Sequence, residues 1–204
     1  MKVLLVNGGP HPKGCTYTAL QEVAVTLQQN DIQTEIMWLG NEPIAGCIAC
    51  NYCKTEKRCF REDCVNEFLD KVETVDGFVF GSPVHFASAS GALTSFLDRA
   101  FYGRDFDGKV GAAVLSCRRG GATASFDQIN KYFAIKGIPI VTSQYWNMVH
   151  GNTPEEVKQD LEGMQTMRTL GRNMAWLIKC IHAGKAANID FPKKEPKIAT
   201  NFIR

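Results

Sequence analysis

The chain of 204 residues predicts an α/β fold, a five-stranded parallel sheet with helices on both faces, and three observations carry that prediction. Short apolar runs rich in β-branched and aromatic residues alternate along the chain with stretches of helical period. The runs are continuous instead of alternating, which is the pattern of strands covered on both sides. The apolar fraction of 45% and the charged fraction of 22% are those of an ordinary globular domain.

The elements follow in order. A strand over 3–6 breaks at Asn7-Gly8-Gly9-Pro10, and a helix over 18–29 leads to a second strand over 32–38. An irregular segment over 40–63 comes next, and a loop of that length inside a compact domain points to function. Val65, Phe68, Leu69 and Val72 mark a helix before the third strand over 77–81. Leu93, Phe96, Leu97 and Ala100 mark another before the fourth strand over 110–116, and Phe126, Ile129 and Phe133 a third before a fifth strand over 138–143. Thr153, Pro154 and Glu156 form a capping signature, after which one apolar stripe from Val157 through Leu161, Met164, Leu170, Met174 and Leu177 to Ile181 predicts a single closing helix up to Gly184. Residues 1–185 read as one domain carrying the 40–63 loop. The tail over 186–204, rich in Lys and Pro, reads as an arm that is mobile or lies on a neighbouring subunit.

Charge and hydropathy exclude several classes. Twenty-three Lys plus Arg against 21 Asp plus Glu leave +2, too little for the basic footprint of a nucleic-acid or anionic-membrane binder. No apolar run approaches the roughly 18 residues of a membrane span, and the first run is too short for a secretory core. A cytoplasmic protein with no nucleic-acid and no membrane partner is expected.

Cysteine is the outlier. Of eight, five (Cys47, Cys50, Cys53, Cys59 and Cys64) fall within residues 47–64. Without a secretory signal such clustering favours metal or redox chemistry over disulfides. Cys47-x2-Cys50-x2-Cys53-x5-Cys59 offers the four thiolates that a [4Fe–4S] cluster needs. Three other readings stay open: a four-thiolate zinc site, which usually uses two separated C-x2-C knuckles; a thiol–disulfide pair of Cys47 and Cys50; and cysteines that only pack the loop. Cys64 is a spare expected to cap the next helix. Cys15, Cys117 and Cys180 are expected as small buried or half-buried side chains.

The segment from Asn7 to Thr18 leaves a strand and opens a helix, so its backbone N–H groups and the helix dipole converge where a phosphate would sit. It is not a P-loop, because Lys13 precedes Gly14, and it is not a G-x-G-x-x-G turn, because Pro10 takes a required glycine position. Gly9, His11, Gly14, Cys15, Thr16, Tyr17 and Thr18 are the candidate contacts. Two more segments, Gly81-Ser82-Pro83-Val84-His85-Phe86 and Ser116-Cys117-Arg118-Arg119-Gly120-Gly121, follow strand ends, where open α/β sheets bind ligands. Three such loops imply a sizeable ligand.

With these three motifs in order, over about residues 1–180, the sequence resembles the NAD(P)H-dependent FMN reductase branch of the flavodoxin-like superfamily, including the iron-sulfur flavoproteins. Gly8-Gly9-Pro10-His11 with Cys15-Thr16 matches the family's Gly-Ser-Pro-Arg and Asn-Thr pattern. Gly81 to Phe86 matches Gly-Ser-Pro-Val-Tyr-Phe, and Gly91-Ala92-Leu93 with Phe96, Asp98 and Arg99 matches Gly-x-Leu-x-x-Phe-x-Asp-Arg. The chain departs at Gly9 for Ser, His11 for Arg, Cys15 for Asn and His85 for Tyr. The resemblance implies a flavodoxin-like fold and FMN bound by the phosphate loop. Pro83, Val84, His85 and Phe86 would lie along the isoalloxazine ring and Arg118, Arg119, Gly120 and Gly121 near its pyrimidine edge, with Ser116 a further cofactor contact. It implies NADH or NADPH as hydride donor and, with Cys47, Cys50, Cys53 and Cys59 as ligands, a [4Fe–4S] cluster. No side chain is expected to act as a catalytic acid or base, since the cofactor carries the reactivity. The alternatives are an FMN-only reductase with structural cysteines, a flavodoxin-like electron carrier without nicotinamide turnover, and a zinc-stabilised interaction protein. The expected partners are a small-molecule acceptor or one-electron carrier protein, and by resemblance a second copy in a homodimer or homotetramer.

Overall fold

The computed structural model describes residues 1–196, 198–200 and 202; within the tail expected over 186–204, residues 197, 201, 203 and 204 lie outside the described residues. The chain runs β1 (Lys2–Asn7), α1 (Cys15–Gln28), β2 (Gln33–Trp38), α2 (Tyr52–Glu56), α3 (Cys64–Val72), β3 (Gly77–His85), β4 (Ser88–Ala89), α4 (Gly91–Tyr102), β5 (Val110–Cys117), α5 (Ala122–Lys136), β6 (Met148–His150), α6 (Pro154–Gln159) and α7 (Leu161–Ala186). Five strands pair in parallel in the order β2-β1-β3-β5-β6, and β4 adds a short antiparallel hairpin to the end of β3. This is the doubly wound flavodoxin-like order, whose direction of winding reverses between β1 and β3. The expected fold class is the observed one.

Alternation along the buried strands sends side chains to two different cores. Leu4, Val6, Phe78 and Phe80 face α3, α4 and α5, whereas Val3, Leu5 and Val79 face α1 and α7. The first face is aromatic: Phe68, Phe78, Phe80, Phe96, Phe101, Phe106 and Phe133 interlock, and Phe80 stacks on Phe133 at 5.8 Å with rings 12° apart. Such pairs add specific orientation to their apolar burial. The second face is aliphatic, with Leu20, Met167, Leu170 and Met174 fully enclosed.

Two expectations are corrected. Residues 138–143 supply only an isolated bridge, Gly111 to Ile140, and the fifth ladder strand is Met148–His150, paired Leu115 to Met148 and Cys117 to His150. Pro139 has no N–H to give to the ladder, and the chain leaves the sheet before buried Asn147 returns it through Leu115 N–H to Asn147 O at 2.9 Å. The closing helix is two helices. The apolar stripe is continuous, but Asp160 sits at φ −73°, ψ 81° and its carboxylate accepts from Gly163 N at 2.9 Å, ending α6 and capping α7. The Thr153 cap is as expected, accepting from Glu156 N at 3.2 Å. Lys194 of the tail pairs with Asp107 of its own chain at 2.5 Å. Among the described residues no helix is long and apolar enough to cross a membrane.

Candidate functional site

A cleft opens at the carboxyl ends of the strands beside the start of α1. One wall is Gly9, Pro10, His11, Gly14, Cys15 and Thr16; the second is Pro83, Val84 and His85; the third is Ser116, Cys117 and Arg118, continued by Gly151 and Asn152. Three segments far apart in sequence meet because each follows a neighbouring parallel strand.

The loop after β1 is held from behind by its carbonyl groups. Buried Asn7 accepts from Gly9 N at 3.0 Å and donates through Nδ2 to His11 O at 3.3 Å and Pro12 O at 3.4 Å. Trp38 Nε1 donates to Gly9 O at 2.8 Å, Ser90 Oγ to Gly8 O at 2.9 Å, and Gly8 N to Gly81 O at 2.9 Å. With the carbonyls tied back, the loop leads into α1, whose cap residue Gly14 offers no side chain to the first turn. The orphan N–H groups and positive end of that helix therefore face the cleft. Thr16 Oγ1 and Ser116 Oγ stand 2.8 Å apart and join the loop to β5.

Six expected contacts do not line the cleft. Thr18 Oγ1 turns back to Gly14 O at 3.1 Å, and Tyr17 is half-buried on α1. Phe86 is fully exposed at a hairpin tip where Phe86 and Ala87 hold φ of 51° and 56°. Arg119 and Gly120 are exposed beside Arg118, and Gly121, at φ 95°, starts α5 against Ala87. Conversely, Asn7, Trp38 and Ser90 shape the loop, and Gly151 and Asn152 line the cleft, without any signal in the motifs; Gly151 follows a strand whose position the sequence hid. Burial pushes the Cys15 thiol up, with Glu156 and Glu155 adding to it. Burial likewise raises Cys117, with Asp160 adding to it. Neither is an activated nucleophile.

A second, narrow recess lies in the 40–63 loop and is lined by Cys47, Cys50, Cys53 and Cys59, with Arg99 and Tyr102 of α4 beside them. The loop includes the short helix α2, and Ala49, Asn51 and Lys57 adopt left-handed backbone at φ of 53°, 63° and 59°. Strain of that kind persists only where surroundings enforce it. Gly103 lets the loop approach α4, since a Cβ there would overlap the side chain and backbone of Cys53. Burial pushes the Cys53 thiol up, and Cys47, Cys59 and Cys50 push the same way. Cys47 Sγ accepts from Ala49 N at 3.4 Å, and Cys59 Sγ accepts from Arg99 Nε at 3.3 Å and Nη2 at 3.2 Å.

Among the described residues no three His, Cys, Asp or Glu side chains converge as ligands of one ion. The four thiols line one recess, and four thiolates are the donor number that a [4Fe–4S] cluster takes. Cys64 stays outside the recess, its thiol pushed up to about 11 by burial and by Asp63. It does not cap α3 as expected; Asp63 does, accepting from Val65 N at 3.0 Å. Cys180 is exposed, contrary to its expected burial, because α7 turns it away from the sheet.

Comparison with known proteins agrees with this geometry. Residues 1–153 match the family described as NADPH-dependent FMN reductase. An iron-sulfur flavoprotein of Methanocaldococcus jannaschii is 34% identical over 191 residues, covering 89% of this chain and 99% of that protein. An iron-sulfur flavoprotein of Methanosarcina thermophila is 25% identical over 193 residues, covering 91% and 99%. Among solved structures, RosB with a bound riboflavin-phosphate intermediate superposes with a TM-score of 0.68 at 15% identity, covering 100% of this chain and 94% of that one. An NAD(P)H:quinone oxidoreductase from Methanothermobacter marburgensis superposes with a TM-score of 0.66 at 16% identity, covering 85% and 96%. These superpositions show the fold, and the sequence match shows the kinship. With the match spanning the cleft and most of the sheet, the chain belongs to the NADPH-dependent FMN reductase family.

Proposed function

We propose that the protein is an NAD(P)H-dependent oxidoreductase that holds FMN in the cleft and a [4Fe–4S] cluster on Cys47, Cys50, Cys53 and Cys59. The observation that carries this reading is the pair of recesses, one at the strand ends beside the start of α1, the other lined by four cysteines beside α4. Bound flavin would supply the exchange between a two-electron hydride and single electrons, which the cluster carries one at a time.

This chain's residues do the rest. The N–H groups at the start of α1 and the Thr16 hydroxyl bind the phosphate. Pro83, Val84 and His85 form the wall against which the ring lies. Arg118 brings a positive charge to the opposite wall, where it favours an anionic reduced ring. The cysteine loop packs on α4 through half-buried Cys53 and Cys59 and leaves Cys47 and Cys50 exposed. The acceptor is a small molecule or a one-electron carrier protein, and a homo-oligomer completes the reading.

The test is anaerobic purification followed by an absorption spectrum, iron and acid-labile sulfide counts, and steady-state oxidation of NADH and NADPH on the same sample. Flavin bands over a broad brown background with about four irons per chain are expected. Cys50→Ala is expected to remove the iron and leave FMN bound. Flavin without iron after anaerobic reconstitution would instead establish an FMN-only reductase, the second reading. Flavin with no nicotinamide oxidation would establish a carrier.

A further inference from the structure

Resting on the cluster reading above, we propose that Arg99 is the positioning residue of the thiolate set: it fixes Cys59 as the pre-formed ligand and stabilises the reduced, more negative cluster through its two N–H contacts to Cys59 Sγ. The sulfur-to-guanidinium geometry carries the inference. Arg99 is 3% exposed on α4, and its Nε and Nη2 reach Cys59 Sγ at 3.3 and 3.2 Å. The same guanidinium is oriented by Asp63, with Nη1 to Oδ2 at 2.6 Å and Nη2 to Oδ1 at 3.0 Å, and by longer contacts to Ala45 O and Arg61 O, both 3.4 Å. A buried Arg is rare unless paired, and here one edge of the fork meets a carboxylate while the other meets a thiol.

Cys59 is held at its backbone as well. Buried Asn66 accepts from Cys59 N at 2.8 Å and donates to Cys59 O at 2.9 Å. Thus Cys59 is clamped from α3 at its main chain and from α4 at its sulfur, whereas Cys47 and Cys50 are exposed on the loop. Uptake of one electron makes a cluster's net charge one unit more negative and breaks no bond. A fixed cation and two N–H donors at one ligand sulfur favour that form, which is how hydrogen bonds to sulfur and net charge raise a cluster's potential. Asp63 opposes the effect, because it neutralises part of the guanidinium's charge.

The experiment measures the cluster's midpoint potential by anaerobic spectroelectrochemistry, with iron and FMN counts, in the parent protein, Arg99→Gln, Arg99→Lys and Asp63→Asn. Arg99→Gln is expected to shift the one-electron equilibrium about tenfold toward the oxidised form, 59 mV more negative, with Arg99→Lys between it and the parent. Asp63→Asn keeps a good helix cap and is expected to shift the potential the opposite way. A residue that merely braces the loop would not move the two variants in opposite directions. Full iron with unchanged potentials in Arg99→Gln and Asp63→Asn overturns the role of Arg99 alone; should Arg99→Gln fail to fold, an unmoved potential in Asp63→Asn overturns it. A parent protein without iron overturns the cluster reading and this proposal with it.

Discussion

Ser90 Oγ donates to Gly8 O at 2.9 Å and accepts from Leu93 N at 3.3 Å, so one buried hydroxyl caps α4 and ties the loop after β1 to that helix. Its own N–H donates to Ser82 Oγ at 2.9 Å, which fixes the helix start against the end of β3. At the other end of α4, Arg99 reaches Cys59, and at 1.5 Å rise per residue the two anchor points are about 13 Å apart along the axis. One helix therefore ties the loop after β1 to the cysteine loop.

Replacing Ser90 removes a cap and a buried partner of Gly8 O together. Ser90→Ala is expected to lower stability by about 1–2 kcal/mol and to weaken FMN binding several-fold, since the loop carbonyl would be free to turn toward the phosphate. Urea denaturation of the apoprotein and fluorescence titration with FMN measure the two effects. An unchanged FMN affinity would separate the cap from the cofactor loop.

At Gly103 the Cys53 loop touches the helix backbone, and a methyl group has no room. Gly103→Ala is expected to displace the loop and reduce bound iron to a small fraction, with the FMN content kept. The iron-to-flavin ratio of the purified variant is the readout, and a ratio equal to the parent's would show that the loop shifts without losing its ligand geometry.

Cys64 at the start of α3 is less accessible than the exposed thiols Cys47 and Cys50 of the loop. Cys64, half-buried with its thiol pushed up to about 11, is expected to alkylate at least tenfold more slowly than exposed Cys47 and Cys50 in iron-free protein at pH 8. Mass-mapped iodoacetamide labelling over time ranks them. Comparable rates would mean that the start of α3 opens in solution.

Glu35 links β2 to β1 and α3, with Lys2 Nζ at 2.7 Å and Lys71 Nζ at 2.6 Å. Its bond to Lys2, and then that to Lys71, hold its carboxyl below the usual range. A carboxyl lowered in the folded state stabilises it above the unfolded-state pKa, near 4.3, and that contribution fades as the pH falls through the lower folded value. Glu35→Gln is accordingly expected to cost about 0.5–1 kcal/mol at pH 7 and progressively less as the pH falls below the unfolded-state pKa. Thermal melts of both proteins across that range test it; a difference that grows on acidification would contradict the assignment.

The sequence by itself determined four of the five parallel strands, the helices that cover them on both faces and the loop that carries the cysteines, because strand and helix periods are local properties of the side-chain pattern. Gly9, His11, Gly14, Cys15 and Thr16 were legible as a cleft wall because a glycine-rich turn between strand and helix has few geometries, and Pro83, Val84, Ser116 and Arg118 because they follow strand ends. What only the tertiary structure decided depends on pairing between distant segments. The strand Met148–His150 takes its place from β5 and not from its own composition, and with it Gly151 and Asn152 enter the cleft. Asp160 divides a continuous apolar stripe because its carboxylate finds the Gly163 N–H. Arg99 stands in the sequence as the last residue of a motif match with no role attached; burial beside Asp63 and contact with Cys59, forty residues away, give it a sulfur to hold.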